Sequence, residues 1–170
     1  MAMTNTFHRL ATACALVAGS ILCVGVNAGT GQEATAQAQH EHMAGGSAVA
    51  NMKLDDGKQW ATDAPLRSGM AAIRKSFDAD HPAIHTGEET DAQYAALAGK
   101  IEAQVNDIVR NCHLPPAADA NLHFVIADLL QGVNLMRGTN PARSRHDGAA
   151  LVHGALNAYG QYFEDPGWRH

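Results

Sequence analysis

Four segments of this chain repeat apolar residues at intervals of three and four, and prolines or glycines lie between the segments. Such spacing places apolar side chains on one face of a helix, and no segment has the strict alternation of a half-buried strand. The four apolar stripes are Leu66, Met70, Ile73 and Phe77; Tyr94, Leu97, Ile101, Val105, Ile108 and Cys112; Leu122, Ile126, Leu129, Val133 and Met136; and Ala149, Val152, Leu156, Tyr159 and Phe163. The pattern predicts an all-α fold, and short connections favour an antiparallel up-down four-helix bundle.

Capping residues and helix breakers set the predicted boundaries. Thr62–Pro65 combines a capping side chain with a proline in the opening turn, and Thr90 with Gln93 has the form of a capping box. The other boundaries are Pro115-Pro116 after the second helix, Asp119 and Gly138 around the third, and Asn140-Pro141 and Pro166-Gly167 around the fourth. Residues 78–89 are predicted as a long connection. Gly148, Gly154 and Gly160 are interpreted as places where the fourth helix approaches another closely.

The first 28 residues have the layout of a secretory signal peptide. A polar start ending at Arg9 precedes an uncharged apolar run, Leu10–Val26, and Ala28 offers a cleavage site. The run is shorter than the roughly 20 residues that span a bilayer comfortably. We therefore predict cleavage after Ala28, a periplasmic location and no stable membrane insertion, with an uncleaved anchor as the alternative.

Residues 29–53 are rich in Ala, Gln, Gly and His and lack hydrophobic periodicity, so they are predicted to form a disordered tail. The bundle domain is predicted to cover residues 54–170. Within the tail, His40-Glu41-His42-Met43 is either a weak metal-capturing segment that passes the ion to the bundle or a solvated linker.

Charge and motifs exclude several classes of function. The chain carries 17 acidic and 12 basic side chains, a net charge of −5, and no basic stripe that would suit a nucleic acid. It has no phosphate-binding loop, nucleophile elbow or His-Glu-x-x-His helix, so we do not predict an enzyme. The absence of Cys-x-x-Cys-His excludes covalent haem attachment.

Removal of the signal peptide would leave Cys112 as the only cysteine, beside His113. In an up-down bundle these residues lie at the same end as His123 and Met70, which gives a first candidate group of metal ligands. Cys112 and Met70 also occupy stripe positions, so a buried core residue is the alternative interpretation of each.

The opposite end of the bundle collects a second candidate group, Met136, His146 and His81, with His85 close in sequence to His81. His153 lies two turns from His146, about 10 Å along the helix axis, which is too far for the two to share one ion without other ligands. Thiolate, thioether and imidazole suit copper, and zinc fits where imidazoles dominate.

The segments Trp60–Met70, Val109–Pro116 and Tyr159–Phe163, with Asp165–Trp168, resemble a DnrO-like family of small exported proteobacterial proteins. The resemblance implies a periplasmic helical protein. The helix order is similar to that of cytochrome b562, which holds haem between a methionine of its first helix and a histidine of its last. Met70 matches that methionine, whereas Gly160 stands near the place of the histidine, which argues against a haem b.

These observations predict a periplasmic metal-binding protein for copper storage or transfer. A metal-free envelope interaction or stress protein is the alternative, and a b-type haem bundle is a third interpretation.

Overall fold

The computed structural model describes residues 46–168, which lie within one compact unit. The helices are a 3-10 helix, Ala48–Asn51, and four α-helices: α1, Ala64–Thr86; α2, Asp91–Asn111; α3, Pro116–Met136; and α4, Arg145–Tyr162. Within this range there are no strands, only isolated bridges such as Trp60 to Phe163. The predicted all-α, four-helix architecture is thus confirmed.

None of the described helices is long and apolar enough to cross a membrane. The predicted signal peptide and residues 29–45 lie outside the described residues.

Side-chain caps fix where the helices begin. The Asp63 carboxylate accepts the backbone N–H of Leu66 at 2.9 Å, and the predicted capping box of Thr90 with Gln93 is present. Helix α4 begins at Arg145 rather than at Asn140-Pro141, because Ser144 and Asp147 form a second capping box that sequence reasoning missed. Helix α3 begins at Pro116, earlier than predicted, since proline suits the first turn of a helix.

Helix α1 is longer than predicted and contains Pro82 in its interior. The predicted long connection over residues 78–89 is therefore wrong for most of its length. Pro82 removes one backbone donor, but Ile84, two residues beyond it and two turns after Phe77, continues the buried stripe and packs in the core. The helix ends at Gly87, whose φ of 75° is the left-handed conformation that favours glycine.

The apolar stripes of the four helices form one core, and α3 and α4 approach each other most closely. A Cβ atom added at Gly148 would lie 2.6 Å from the Gly132 carbonyl oxygen and 2.8 Å from the Met136 nitrogen. The interpretation of Gly148 as a place of close approach is confirmed. Gly154 has open space around it and does not play that role. Helices α1 and α4 contact each other much less than α3 and α4 do.

The residues before α1 are also part of the folded unit. Asp128 is fully buried in α3, and its carboxylate accepts the backbone N–H of Ala48 at 2.7 Å and that of Val49 at 3.2 Å. The Ser47 hydroxyl donates to the same carboxylate, and Met52 is buried in the core. The disordered tail predicted for residues 29–53 is therefore wrong for residues 47–53, because a buried carboxylate in α3 supplies acceptors for this segment.

Candidate functional site

Cys112 directly follows α2 as its C-cap, and its half-buried thiol lies against the side chain of Asp63, the N-cap of α1. Burial and the neighbouring Asp63 carboxylate raise the pKa of the Cys112 thiol to about 12. The Asp63 carboxylate also accepts the His113 backbone N–H at 2.6 Å. Although burial opposes it, these donors hold the pKa of Asp63 below its usual value. Cys112 is therefore protonated at neutral pH in the metal-free protein, and a metal ion would have to displace this proton to bind the sulfur.

The other members of the first predicted group do not surround Cys112. His113 and His123 are both exposed, and the His123 ring nitrogen Nδ1 lies 2.8 Å from the Asp119 carbonyl oxygen of its own helix. Met70 is 0% exposed and packs in the core. No group of three or more histidine, cysteine, aspartate or glutamate side chains among residues 46–168 is arranged to hold a metal ion. Cys112, His113 and His123 therefore do not form a preformed centre.

The second predicted group, like the first, combines a buried methionine with exposed histidines. Met136 is a fully buried core residue at the end of α3, and its carbonyl oxygen accepts a hydrogen bond from Arg145. His146 is exposed in the first turn of α4. His81 is exposed on α1, where helix continuation through Pro82 places it one turn before His85. Of the three residues in this group, His81 is the one whose ring lies close to other histidine rings.

Three rings meet where α1 faces α4. Phe77 is buried, and the ring centre of His81 lies 5.6 Å from that of Phe77. The ring centre of His153 lies 5.7 Å from that of Phe77 and 5.7 Å from that of His81. His85 stacks on His81 with ring centres 6.1 Å apart. His81, His85 and His153 are all exposed, and we call them the histidine cluster.

A cleft of about 300 Å³ opens beside the histidine cluster. Its walls include His81 and His153 together with Arg74, Asp78 and Trp168. The Arg74 guanidinium lies 4.9 Å from the ring centre of Trp168 and its Nε is 3.5 Å from the Asp78 carboxylate. The imidazoles therefore border a polar cleft with a fixed aromatic wall.

Sequence reasoning placed His81 and His85 at the same end of the bundle, with His81 as the candidate ligand, but did not predict that His153 lies beside them. Its prediction of a loop around Pro82 left the relative position of His81 and His85 open. The four-residue spacing was the available clue, because residues at i and i+4 share a face once the segment is helical. His153 was compared only with His146 on the same helix, whereas its neighbour lies on α1.

Glu89 is a second polar feature that the sequence did not reveal. It lies in the α1–α2 connection with 9% exposure, and neither carboxylate oxygen has a hydrogen-bond partner among the described residues. Burial, together with the nearby charge of Asp80, raises the pKa of Glu89. A buried carboxylate without a donor costs stability when it is ionised.

Comparison with protein-family models, with curated proteins and with solved structures gives no match. The resemblances to DnrO-like proteins and to cytochrome b562 therefore stay predictions.

Proposed function

We propose that this protein binds a metal ion, copper in the divalent state, through the histidine cluster. The observation that carries the proposal is the pair of exposed imidazoles of His81 and His153, whose ring centres are 5.7 Å apart on two different helices. With metal–nitrogen bonds of about 2.0 Å, two imidazoles on one ion have ring centres about 4.5–6.5 Å apart. His85, one turn from His81, supplies a third imidazole on the same surface.

The chemistry of the ligands favours copper(II) over the copper(I) site predicted around Cys112. Imidazole suits zinc, copper and nickel, and copper(II) binds most tightly among the divalent first-row ions. The three histidines are not arranged around one ion as they stand. Because all three are exposed, turning their side chains toward one ion costs little packing. The cysteine with a pKa of about 12 and the buried Met70 are interpreted as structural.

The proposed setting is the periplasm, in a protein that stores or transfers copper and catalyses no reaction. The layout of residues 1–28 supports export. The antiparallel up-down order belongs to the same proposal. It is supported by the hydrogen bond from His113, just after α2, to Asp63, just before α1, and by that from Arg145 at the start of α4 to Met136 at the end of α3.

Equilibrium dialysis of the full chain against copper(II) tests the proposed site. The variant His81→Ala/His153→Ala is expected to lose one equivalent of bound copper or to bind it at least tenfold more weakly. The matched control is Cys112→Ser/His113→Ala/His123→Ala, which removes the cysteine and both histidines of the first predicted group and should bind as the wild type does. Histidines outside residues 46–168 contribute equally in every variant, so the difference reports the cluster.

Thermal unfolding separates this proposal from the metal-free envelope protein. An ion that binds only the folded state raises the unfolding temperature with concentration. Wild type should be stabilised by copper(II), and the His81→Ala/His153→Ala variant should not. Equal copper binding and equal stabilisation in both would contradict the proposal, and an absence of any stabilisation would favour the metal-free alternative.

A further inference from the structure

A groove of about 990 Å³ runs beside the first half of α1, between that helix and the C-terminal residues 164–168. Its walls combine apolar surface from Ala71, Pro166 and Trp168 with charged side chains. Sites for small molecules commonly have this size and this mixture of apolar walls and a few polar groups. The groove therefore has room for a compact organic ligand.

The C-terminal wall of the groove is held in place by internal contacts. The Asp165 carboxylate accepts the Tyr159 hydroxyl at 3.0 Å. The ring of Trp168 packs edge-on against that of Tyr159, with ring centres 4.7 Å apart. The Thr62 hydroxyl donates to the Glu164 carbonyl oxygen at 2.6 Å. Because the protein makes all of these contacts by itself, the shape of the groove does not depend on a ligand.

Arg67 lines this groove and differs from every other arginine of residues 46–168. The other arginines all form ion pairs with carboxylates: Arg74 with Asp78, Arg110 with Asp107, Arg137 with Glu102, Arg143 with Asp147, and Arg145 with Asp91. Arg67 forms no ion pair with any carboxylate in this range, although the residue is half-buried. Its charge is therefore available to an anionic ligand in the groove.

The hydrogen bonds of Arg67 fix its guanidinium and leave one edge free. Nη1 donates to the Thr62 carbonyl oxygen at 2.8 Å and to the Thr62 hydroxyl oxygen at 3.0 Å. Nε and Nη2, which share one edge of a guanidinium, have no acceptor among the described residues. Two parallel N–H donors match the two oxygens of a carboxylate. The free edge of Arg67 therefore suits a carboxylate bound through both oxygens.

The other charged groups of the groove largely offset one another. Arg74 pairs with Asp78. Lys75 and Glu164 are exposed, have opposite charges and form no ion pair within residues 46–168. The carboxylate of Asp165 already accepts a hydroxyl and a backbone N–H. One half-buried cation with free donors favours a ligand with a single carboxylate over a polyanion.

The groove surface that leads away from Arg67 is apolar. Ala71 lies one turn further along α1, and Pro166 lines the groove with it. The ring of Trp168 lies at the level of Arg74, whose guanidinium is 4.9 Å from the ring centre. Arg74 is seven residues after Arg67, about 10 Å along the helix axis. A molecule whose acid group binds Arg67 can therefore lay about 10 Å of apolar body along this surface.

We propose that the groove binds a hydrophobic monocarboxylate, with its carboxylate on Nε and Nη2 of Arg67 and its hydrocarbon body against Ala71, Pro166 and Trp168. The charge-assisted hydrogen bonds set the orientation of the ligand, and burial of the hydrocarbon supplies affinity. The Arg67 end of the groove is separate from the histidine cluster, because His81 lies 14 residues, about 21 Å, further along α1. The protein therefore binds this acid independently of copper.

Isothermal titration calorimetry of the full chain with octanoate, in metal-free buffer, tests the proposal. Arg67→Ala is expected to bind octanoate at least tenfold more weakly than wild type. The matched control, Arg110→Ala, removes an exposed arginine of α2 outside the groove and should bind as wild type does. Residues outside 46–168 contribute equally in every variant, so the difference reports the groove.

Two further probes separate the role of the charge from that of the hydrocarbon. Octan-1-ol keeps the chain of octanoate without its charge, and butyrate keeps the carboxylate with a shorter chain. Each should bind wild type at least tenfold more weakly than octanoate, since the first loses the charge-assisted hydrogen bonds and the second buries less apolar surface.

A second variant covers the case in which loss of Arg67 disturbs Thr62 and the start of α1. Ala71→Glu changes an exposed residue one turn from Arg67 and places a carboxylate within reach of its free edge. This internal carboxylate should weaken octanoate binding at least tenfold. Ala79→Glu, at an exposed position of α1 that does not line the groove, is its control and should bind as wild type does.

An absence of octanoate binding by wild type overturns the proposal. Equal octanoate affinity in wild type, Arg67→Ala and Ala71→Glu does the same, as does equal affinity of wild type for octanoate and octan-1-ol. Because the titration contains no metal, each of these results leaves the copper proposal standing.

Discussion

The buried Asp128 carboxylate accepts the backbone N–H of Ala48 at 2.7 Å, across a sequence separation of 80 residues. Together with the donors of Ser47 and Val49 it forms three hydrogen bonds to the segment at which the described structure begins. A charged acceptor inside α3 therefore determines where the folded unit begins.

Replacement of Asp128 by alanine is expected to lower the free energy of unfolding by about 1.5–3 kcal/mol, because buried backbone donors lose a charged acceptor. Chemical denaturation followed by circular dichroism measures the change. Asp119→Asn, on the same helix but half-exposed, should change stability by about 0.5 kcal/mol or less. Equal effects of the two substitutions would contradict the anchoring role of Asp128.

The glycines of α4 provide a matched pair of substitutions. Gly148→Ala is expected to destabilise the protein by about 1–3 kcal/mol, since its Cβ would lie 2.6 Å from the Gly132 carbonyl oxygen. Gly154→Ala meets open space and should stabilise the helix by about 0.5–1 kcal/mol. Thermal unfolding of both variants should move the transition in opposite directions; shifts of the same sign would refute the packing described for α3 and α4.

Glu89→Gln is expected to raise stability at pH 7 by about 1 kcal/mol, because it removes a buried charge without a donor. Burial raises the pKa of Glu89 above the ordinary glutamate value of 4.5, so the folded state binds this proton more tightly than the unfolded state. The penalty is absent below that ordinary value and grows as the pH rises through the folded pKa. The gain should therefore vanish near pH 4.

The matched control for this substitution is Glu88→Gln, which changes the neighbouring exposed glutamate. Its unfolding free energy should follow that of wild type at both pH values. A Glu89→Gln gain that persists unchanged at pH 4 would show that the ionised carboxylate is not the cause.

Alkylation of Cys112 by iodoacetamide at pH 8 is expected to be slow. A pKa of about 12 leaves roughly one thiolate in ten thousand at that pH. Burial is the larger cause of the raised pKa and stays in Asp63→Asn, but this variant keeps a good capping side chain and removes the neighbouring charge that raises the pKa further, so alkylation should accelerate severalfold. Mass spectrometry of the Cys112 peptide measures the rate separately from Cys14 and Cys23, and Asp107→Asn serves as a control that should leave it unchanged.

The helix pattern was predictable because periodicity reports which face a helix buries. Leu66, Ile73 and Leu97 are all 0% exposed, as their stripes predict. The predicted helix boundaries were wrong where a tertiary contact overrode a local sequence rule. Pro82 indicates a break in sequence, but packing of Ile84 carries α1 past it.

Asp128 shows the same limit for the N-terminal boundary. An acidic residue within the apolar run Phe124–Leu130 was visible in the sequence, yet its partners lie about 80 residues earlier and follow no periodic rule. The histidine cluster was hidden for a similar reason. His81 and His153 become neighbours only when α1 and α4 are placed side by side, which no spacing along the chain encodes.

Because α1 and α4 contact each other only slightly, a ligand bound at the histidine cluster would affect how readily these two helices separate. An ion held by His81 and His153 would connect α1 to α4, two helices that otherwise contact each other only slightly. Loading would then suppress sub-global openings that separate these helices, and slower amide hydrogen exchange would extend along both of them rather than stay at the binding residues. Release of the ion would allow these openings again. The fraction of protein that holds the ion and the frequency of the openings would therefore change in opposite directions.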